Sequence, residues 1–137
     1  MYLLALGATA RASAFDRRSR EIPNWIAAGL FASSLIVLAT GRHPAGASDL
    51  FLGATVAAAG SVALFAVGAM GGGDVKLLVA LGATLGIQAF VPFLVATFIV
   101  GGILALIAKR RGESEIAYAP AMFLGLLALV PLVWLTR

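Results

Sequence analysis

Two aspartates are the residues of this sequence best suited to chemistry. Asp16 ends one apolar stretch, and Asp74 follows three glycines and begins another. Placing a charged carboxylate in or near the bilayer costs free energy, so an aspartate at such a position is a functional candidate. If both carboxylates share a low-dielectric site, like-charge repulsion leaves one ionised and one protonated near neutral pH. The ionised group could then draw a proton from water while the neutral group donates to a peptide carbonyl.

The glycines before Asp74 would suit an extended substrate. Because Gly71, Gly72 and Gly73 carry no side chain, their backbone can approach a peptide closely and adopt conformations closed to other residues. We expect them to form a substrate-approach loop. Each feature also has a plainer interpretation on its own: Asp16 as an interfacial charge, Asp74 as a helix N-cap and the glycines as a turn or packing element.

The other polar residues offer less chemistry. The chain has no cysteine and a single histidine, His43, so it cannot build a disulfide framework, a thiolate metal site or a histidine cluster. We expect His43 to be a solvated loop residue. Asp49, Glu113 and Glu115 are interpreted as interfacial or capping charges. Neither a metal nor another cofactor is expected.

The composition indicates that a membrane protein positions these residues. Hydrophobic residues make up 61% of the 137 residues and charged residues 12%, and the apolar residues come in long blocks. A membrane crossing takes roughly 20 residues, which allows at most about five or six crossings. We predict an all-α, polytopic membrane bundle of about six helices, with residues 1–137 as one domain. Because the basic residues lie in short loops beside apolar runs, no nucleic-acid partner is expected.

Charge, glycine and proline divide the chain into six candidate helices. The first covers residues 1–16, and the others are predicted over residues 26–40, 50–70, 77–87, 90–108 and 117–136. The stretch 77–108 is too long for one crossing, so we predict a turn near Gly86, Gln88 and Pro92. Residues 2–14 also have the apolar core and small-residue ending of a signal peptide. No Lys or Arg precedes that core, which favours a retained helix over a cleaved signal.

Basic residues predict the orientation, since cytoplasmic loops gather Lys and Arg. In a six-helix chain the first, third and fifth loops hold most of these residues: Arg17, Arg18, Arg20, Lys76, Lys109, Arg110 and Arg111. The second loop has only Arg42, and the fourth has none. Odd-numbered loops are therefore predicted to face the cytoplasm, with both termini outside. Asp16 and Asp74 would then lie at the same, cytoplasmic end of the bundle.

Three segments in this order resemble the type IV prepilin peptidases, which are membrane aspartic proteases of the G-x-G-D class. Asp16, followed by arginines and by Ile22, Pro23 and Asn24, resembles the first aspartate segment of that family. Residues 70–77 (Met-Gly-Gly-Gly-Asp-Val-Lys-Leu) resemble the second segment. The resemblance covers nearly the whole chain.

The third segment resembles the late Tyr-x-Pro helix start of the same family. It comprises residues 116–121 and contains Tyr118 and Pro120. The resemblance implies that six residues support the site without reacting: Ile22, Pro23, Asn24, Lys76, Tyr118 and Pro120. Taken alone, Lys76 is interpreted as a topology-setting charge and Pro23-Asn24 as a helix start.

The resemblance implies the roles of the two aspartates and the substrate. Asp16 and Asp74 would be catalytic, with a water between them attacking the scissile carbonyl. The substrate would be a prepilin whose short basic leader is cut at the cytoplasmic face of the bacterial inner membrane, just before the hydrophobic helix of the prepilin. The lipid bilayer would be the other partner. The small size of the chain is similar to peptidases of tight-adherence (Flp) pilus systems. It lacks the cysteine-rich region associated with N-methylation, which argues against methyltransferase activity.

Two other functions stay open from the residues alone. A small transporter or channel subunit could use intramembrane aspartates to bind protons or cations. Transporters often show internal repeats and a site near the midplane, whereas the two halves of this chain show no evident repeat. The other candidate is an inactive assembly scaffold of peptidase ancestry, which loss of Asp16 or Asp74 would have favoured.

Overall fold

The computed structural model describes residues 1–19, 23–44, 46–68, 70–111 and 118–135, with side chains for 1–15, 23–44, 46–68, 70–111 and 120–129. Within these residues it has five helices and no strand: α1 (Tyr2–Ser19), α2 (Asn24–Ala39), α3 (Gly46–Ala66), α4 (Gly72–Arg110) and α5 (Tyr118–Leu135). The predicted all-helical class is confirmed. Five helices replace the predicted six because one segment, α4, covers two of the predicted spans.

The first helix is longer than predicted. It continues through Arg17 and Arg18 after Asp16 to Ser19, since none of those residues breaks a helix. Arg11 is a charged residue in an otherwise apolar part of α1. Its guanidinium lies 5.9 Å from the ring centre of Trp25 in α2. At that distance a cation can interact with the face of an indole ring.

Helices α3 and α4 cross with their backbones in close contact. Gly53 of α3 faces the backbone of Gly82 and Gly86, and a Cβ added at Gly82 would lie 2.8 Å from the Cβ of Ala57. Gly53 contacts residues 82 and 86, whereas Ala57 contacts the lower-numbered of these, Gly82. Residue numbers therefore rise in opposite directions on the two helices, so α3 and the first half of α4 are antiparallel. Small residues permit such an approach where lipid provides no hydrophobic drive for helix association.

Helix α4 is interrupted at Gly86. The backbone of this residue has φ 71° and ψ 166°, which is not helical, whereas the chain is helical on both sides. Leu78 and Gly101 line the same cavity of about 210 Å³. Along a straight helix they would stand about 35 Å apart, at roughly 1.5 Å per residue. The two halves of α4 therefore fold back on each other, and the predicted turn is confined to Gly86, while Gln88 and Pro92 are helical.

The outer surface of the bundle is apolar. Large hydrophobic side chains such as Leu3, Ile36 and Val67 are exposed by 83%, 64% and 76%. Helices α3 and α4 are long and apolar enough to cross a membrane, and the segments Asn24–Ala39 and Pro120–Leu129 are shorter apolar helices. Exposed large apolar side chains occur on each of the five helices, which is typical of a lipid-facing protein and indicates a membrane protein.

The loop between α2 and α3 packs onto the bundle, so the prediction that His43 is solvated is wrong. The imidazole is 7% exposed and forms a hydrogen bond with the backbone of Ala83 in α4. Burial lowers the pKa of His43, and the bond to Ala83 opposes that shift. A polar residue in a loop is expected to be exposed. That expectation fails here because the sequence does not show that this loop packs against α4.

Candidate active site

Asp74 lies in the first turn of α4. The helix begins at Gly72 with Gly71 as its N-cap, and the amide of Val75 donates to the carbonyl of Gly71 at 3.2 Å. Asp74 is therefore the third helical residue and is half-buried. The interpretation of Asp74 as the N-cap is wrong, because Gly71 occupies that position. The partial positive charge of a helix N-terminus favours acidic side chains in this turn.

The three glycines start a helix and do not form the predicted loop. Gly72 and Gly73 belong to α4, while Gly71 is extended at φ −77° and ψ 153°, a conformation open to any residue. Their contribution is space, since Gly71 and Gly72 are exposed. A Cβ added at Gly71 would lie 3.5 Å from Oδ2 of Asp74. The missing side chain therefore leaves one approach to this carboxylate uncovered.

Lys76 and Asn24 meet, although they come from different motif segments. The Lys76 Nζ donates a hydrogen bond to Oδ1 of Asn24 at 2.9 Å, across 52 positions of sequence. Pro23 is the N-cap of α2, which begins at Asn24 as predicted. The start of α2 is therefore joined to the start of α4, two residues beyond Asp74.

The end of α1 reaches the same place. Asp16 belongs to α1, three residues before that helix ends. Its backbone is described, but its side chain lies outside the described side chains. The preceding residue, Phe15, packs edge-on against Trp25 with ring centres 6.5 Å apart. Since Trp25 follows Asn24 directly, the last turns of α1 lie beside the start of α2. Three helix ends thus converge around the Lys76–Asn24 bond.

The supporting residues of the third segment lie at the start of α5. That helix begins at Tyr118, and Pro120 is buried in its first turn, whereas the side chain of Tyr118 and all of Ile22 lie outside the described residues. Met122 of α5 shares a cavity with Met70, the residue before the glycines. The start of α5 is therefore near the start of α4.

Sequence reasoning missed the aromatic contact that joins α1 to α2. Phe15 and Trp25 flank the first motif segment, and Trp25 is 56% exposed. A tryptophan next to a charged loop is typical of membrane interfaces, and that signal could have marked it. Among the described side chains, no three His, Asp or Glu residues lie close enough together to hold a metal ion.

A family model provides the observation that decides the class of protein. The model of the type IV leader peptidase family matches residues 3–106. The chain belongs to this family. The match contains both aspartates and the Lys76–Asn24 pair but ends before Tyr118 and Pro120. No curated protein and no solved structure matches the chain.

Membership in this family confirms the resemblance to the type IV prepilin peptidases. It identifies the protein as a peptidase of the type IV leader class and implies a prepilin substrate. The transporter alternative is not favoured. The family match and the apolar helices together indicate a leader peptidase that works in a membrane.

Proposed function

We propose that this leader peptidase is an aspartic endopeptidase that removes the short basic leader of Flp-like prepilins at the cytoplasmic face of the bacterial inner membrane. Asp16 and Asp74 are its acid–base pair. The observation that carries this proposal is the Lys76–Asn24 hydrogen bond, because it ties the start of α4, with Asp74, to the start of α2, beside the end of α1.

The reaction needs no group beyond two carboxyls and a water. The ionised carboxylate accepts a proton from the water as its oxygen attacks the scissile carbonyl, and the protonated carboxyl donates to the carbonyl oxygen. The carboxyl that took the water proton then donates it to the leaving amine as the C–N bond breaks. The other carboxylate takes back a proton from a hydroxyl of the intermediate, which restores both groups. Because Gly71 and Gly72 lack side chains, an extended substrate backbone can lie against the first turn of α4.

Matched substitutions test the pair. The enzyme in detergent is mixed with an Flp-type prepilin, and leader removal is followed by gel shift and mass spectrometry. General acid–base groups typically contribute about 10²- to 10⁴-fold to rate, so Asp16→Asn and Asp74→Asn should each lower kcat by at least about 100-fold. Asp49→Asn is the control, since Asp49 also lies in the first turn of a helix, α3. Cleavage retained by either active-site variant would rule out the pair.

The orientation and the pilus class are tested separately. Because the chain has no cysteine, single cysteines introduced at Arg42 and Arg111 report their own accessibility. Both side chains are exposed. An impermeant thiol reagent added to intact cells should label Arg42→Cys and leave Arg111→Cys unlabelled. The reverse pattern would contradict a cytoplasmic site.

Flp-type prepilins should be cleaved faster than longer prepilins, and the new amino terminus should carry no methyl group.

A further inference from the structure

An apolar groove of about 550 Å³ runs between α2 and the first half of α4. Its walls come from small, branched and aromatic side chains of the two helices: Ala27, Ala28, Phe31, Val75, Val79 and Ala80. Asn24 and Lys76, joined by their hydrogen bond, line the same groove at one end. The proposed chemistry does not use this surface.

The groove leads to the candidate active site. Two side-chain hydrogen bonds join its helices: Lys76 to Asn24 at 2.9 Å, and Ser34 to Thr84 at 2.8 Å. Since the residue numbers rise together on both helices, α2 and this half of α4 are parallel and are held at two levels. Asp74 directly precedes Val75, a residue of the groove wall. The groove therefore reaches the turn of α4 that carries Asp74.

The charge on the groove points to the kind of occupant. Among the described lining residues Lys76 alone is charged, and it is exposed. An ammonium has three donors, and Asn24 accepts one of them, which leaves capacity for an acidic partner. The complementary occupant is apolar along its length and acidic at the end near Asp74.

We propose that the groove between α2 and α4 holds the apolar helix of the prepilin substrate, with an acidic side chain near the start of that helix paired to Lys76. This inference rests on the proposed function. Lys76 lies two positions beyond Asp74, about 3 Å along the helix axis. The acidic residue is therefore within the first turn or two after the scissile bond. Lipid is as apolar as the substrate helix, so close packing and the ion pair provide the selectivity.

Filling the groove tests the docking surface. Ala28 is exposed and lines the groove, so Ala28→Trp occupies the space without entering the core. The matched control is Val62→Trp, since Val62 is exposed on α3 outside the groove. The pairing of Ala57 with Gly82 places Val62 near the level of Leu77. We expect Ala28→Trp to lower kcat/KM for prepilin by about tenfold or more and Val62→Trp to leave it within about twofold, where a tenfold change is 1.4 kcal/mol.

Charge exchange tests the ion pair. Lys76→Glu should lower kcat/KM, and a prepilin whose acidic residue is changed to Lys should restore cleavage by that variant. A residue that only held α2 against α4 would not respond to a change in the substrate. Absence of rescue would overturn the pairing with Lys76.

Photocrosslinking protects the test against misfolded variants. With a photoreactive amino acid in place of Ala28 in an Asp74→Asn background, the expected product is a covalent complex with prepilin. A lipid adduct without prepilin would overturn the inference, as would wild-type kcat/KM in Ala28→Trp. The failure of the proposed function is a different result, because wild-type enzyme would then cleave no prepilin at all.

Discussion

Replacing Gly53 by alanine is expected to force α3 and α4 apart. The added Cβ would lie 2.9 Å from the carbonyl carbon of Gly86 and 3.0 Å from the amide nitrogen of Ile87, with the carbonyl oxygen of Gly82 closer still. Ordinary contacts between carbon atoms are about 3.5–4.0 Å, so the helices must separate by roughly 1 Å. All three neighbours are backbone atoms, which cannot rotate away as a flexible side chain would.

The magnitude follows from a comparison with Gly60 on the same helix. An extra methyl in a tight contact typically costs about 1–3 kcal/mol. A Cβ at Gly60 meets nothing within 4 Å, so Gly60→Ala shows only the helix preference for alanine. That preference is worth roughly 0.5–1 kcal/mol. Both variants gain this preference because both glycines lie within α3, so we expect Gly53→Ala to be less stable than Gly60→Ala by the packing cost alone. That cost is about 1–3 kcal/mol, roughly 5- to 150-fold in the unfolding equilibrium.

The assay is reversible unfolding in mixed micelles, followed by fluorescence of the two tryptophans as denaturing detergent is added. Gly53→Ala should unfold at a lower detergent fraction than wild type, and Gly60→Ala at the same or a higher fraction. Prepilin cleavage should fall in Gly53→Ala, because the crossing at Gly82 and Gly86 holds the half of α4 that carries Asp74. Equal stability of the two variants would refute backbone contact between α3 and α4.

Two further predictions concern the break in α4 and the buried histidine. Gly86→Ala should destabilise the protein by about 1–3 kcal/mol in the same unfolding assay, since φ 71° with ψ 166° is essentially restricted to glycine. Gly102→Ala is the control: a Cβ there meets nothing within 4 Å, so this variant should be as stable as wild type or slightly more stable. Burial lowers the pKa of His43 below its ordinary 6.5, so stability should fall as pH drops from 6.5 towards the lowered pKa, because the unfolded chain takes up the proton first. The nearby positive amino terminus lowers the pKa of His43 further, and Asp49 raises it. Thermal unfolding between pH 5 and 8 should show a weaker pH dependence in His43→Asn than in wild type.

Helix positions were largely predictable because their signals are local. The apolar block after Pro23 predicted residues 26–40 as helical, and α2 runs Asn24–Ala39. For α5, residues 117–136 were predicted and Tyr118–Leu135 are observed. The third helix was predicted as 50–70 but ends at Ala66, because the chain turns at Gly68, where φ is 73°, while hydropathy continues past that point. A hydropathy pattern does not detect a change of backbone direction inside an apolar run.

The sequence by itself determined the all-helical class, the candidate aspartates and the leader peptidase family, since these depend on composition and on short motifs. Only the tertiary structure decided which distant residues meet. It joined Lys76 to Asn24 across 52 positions, buried His43 and made Gly71 the N-cap before Asp74. Such contacts follow from how helices pack, and in lipid that packing depends on where small residues let backbones touch. No local pattern specifies it.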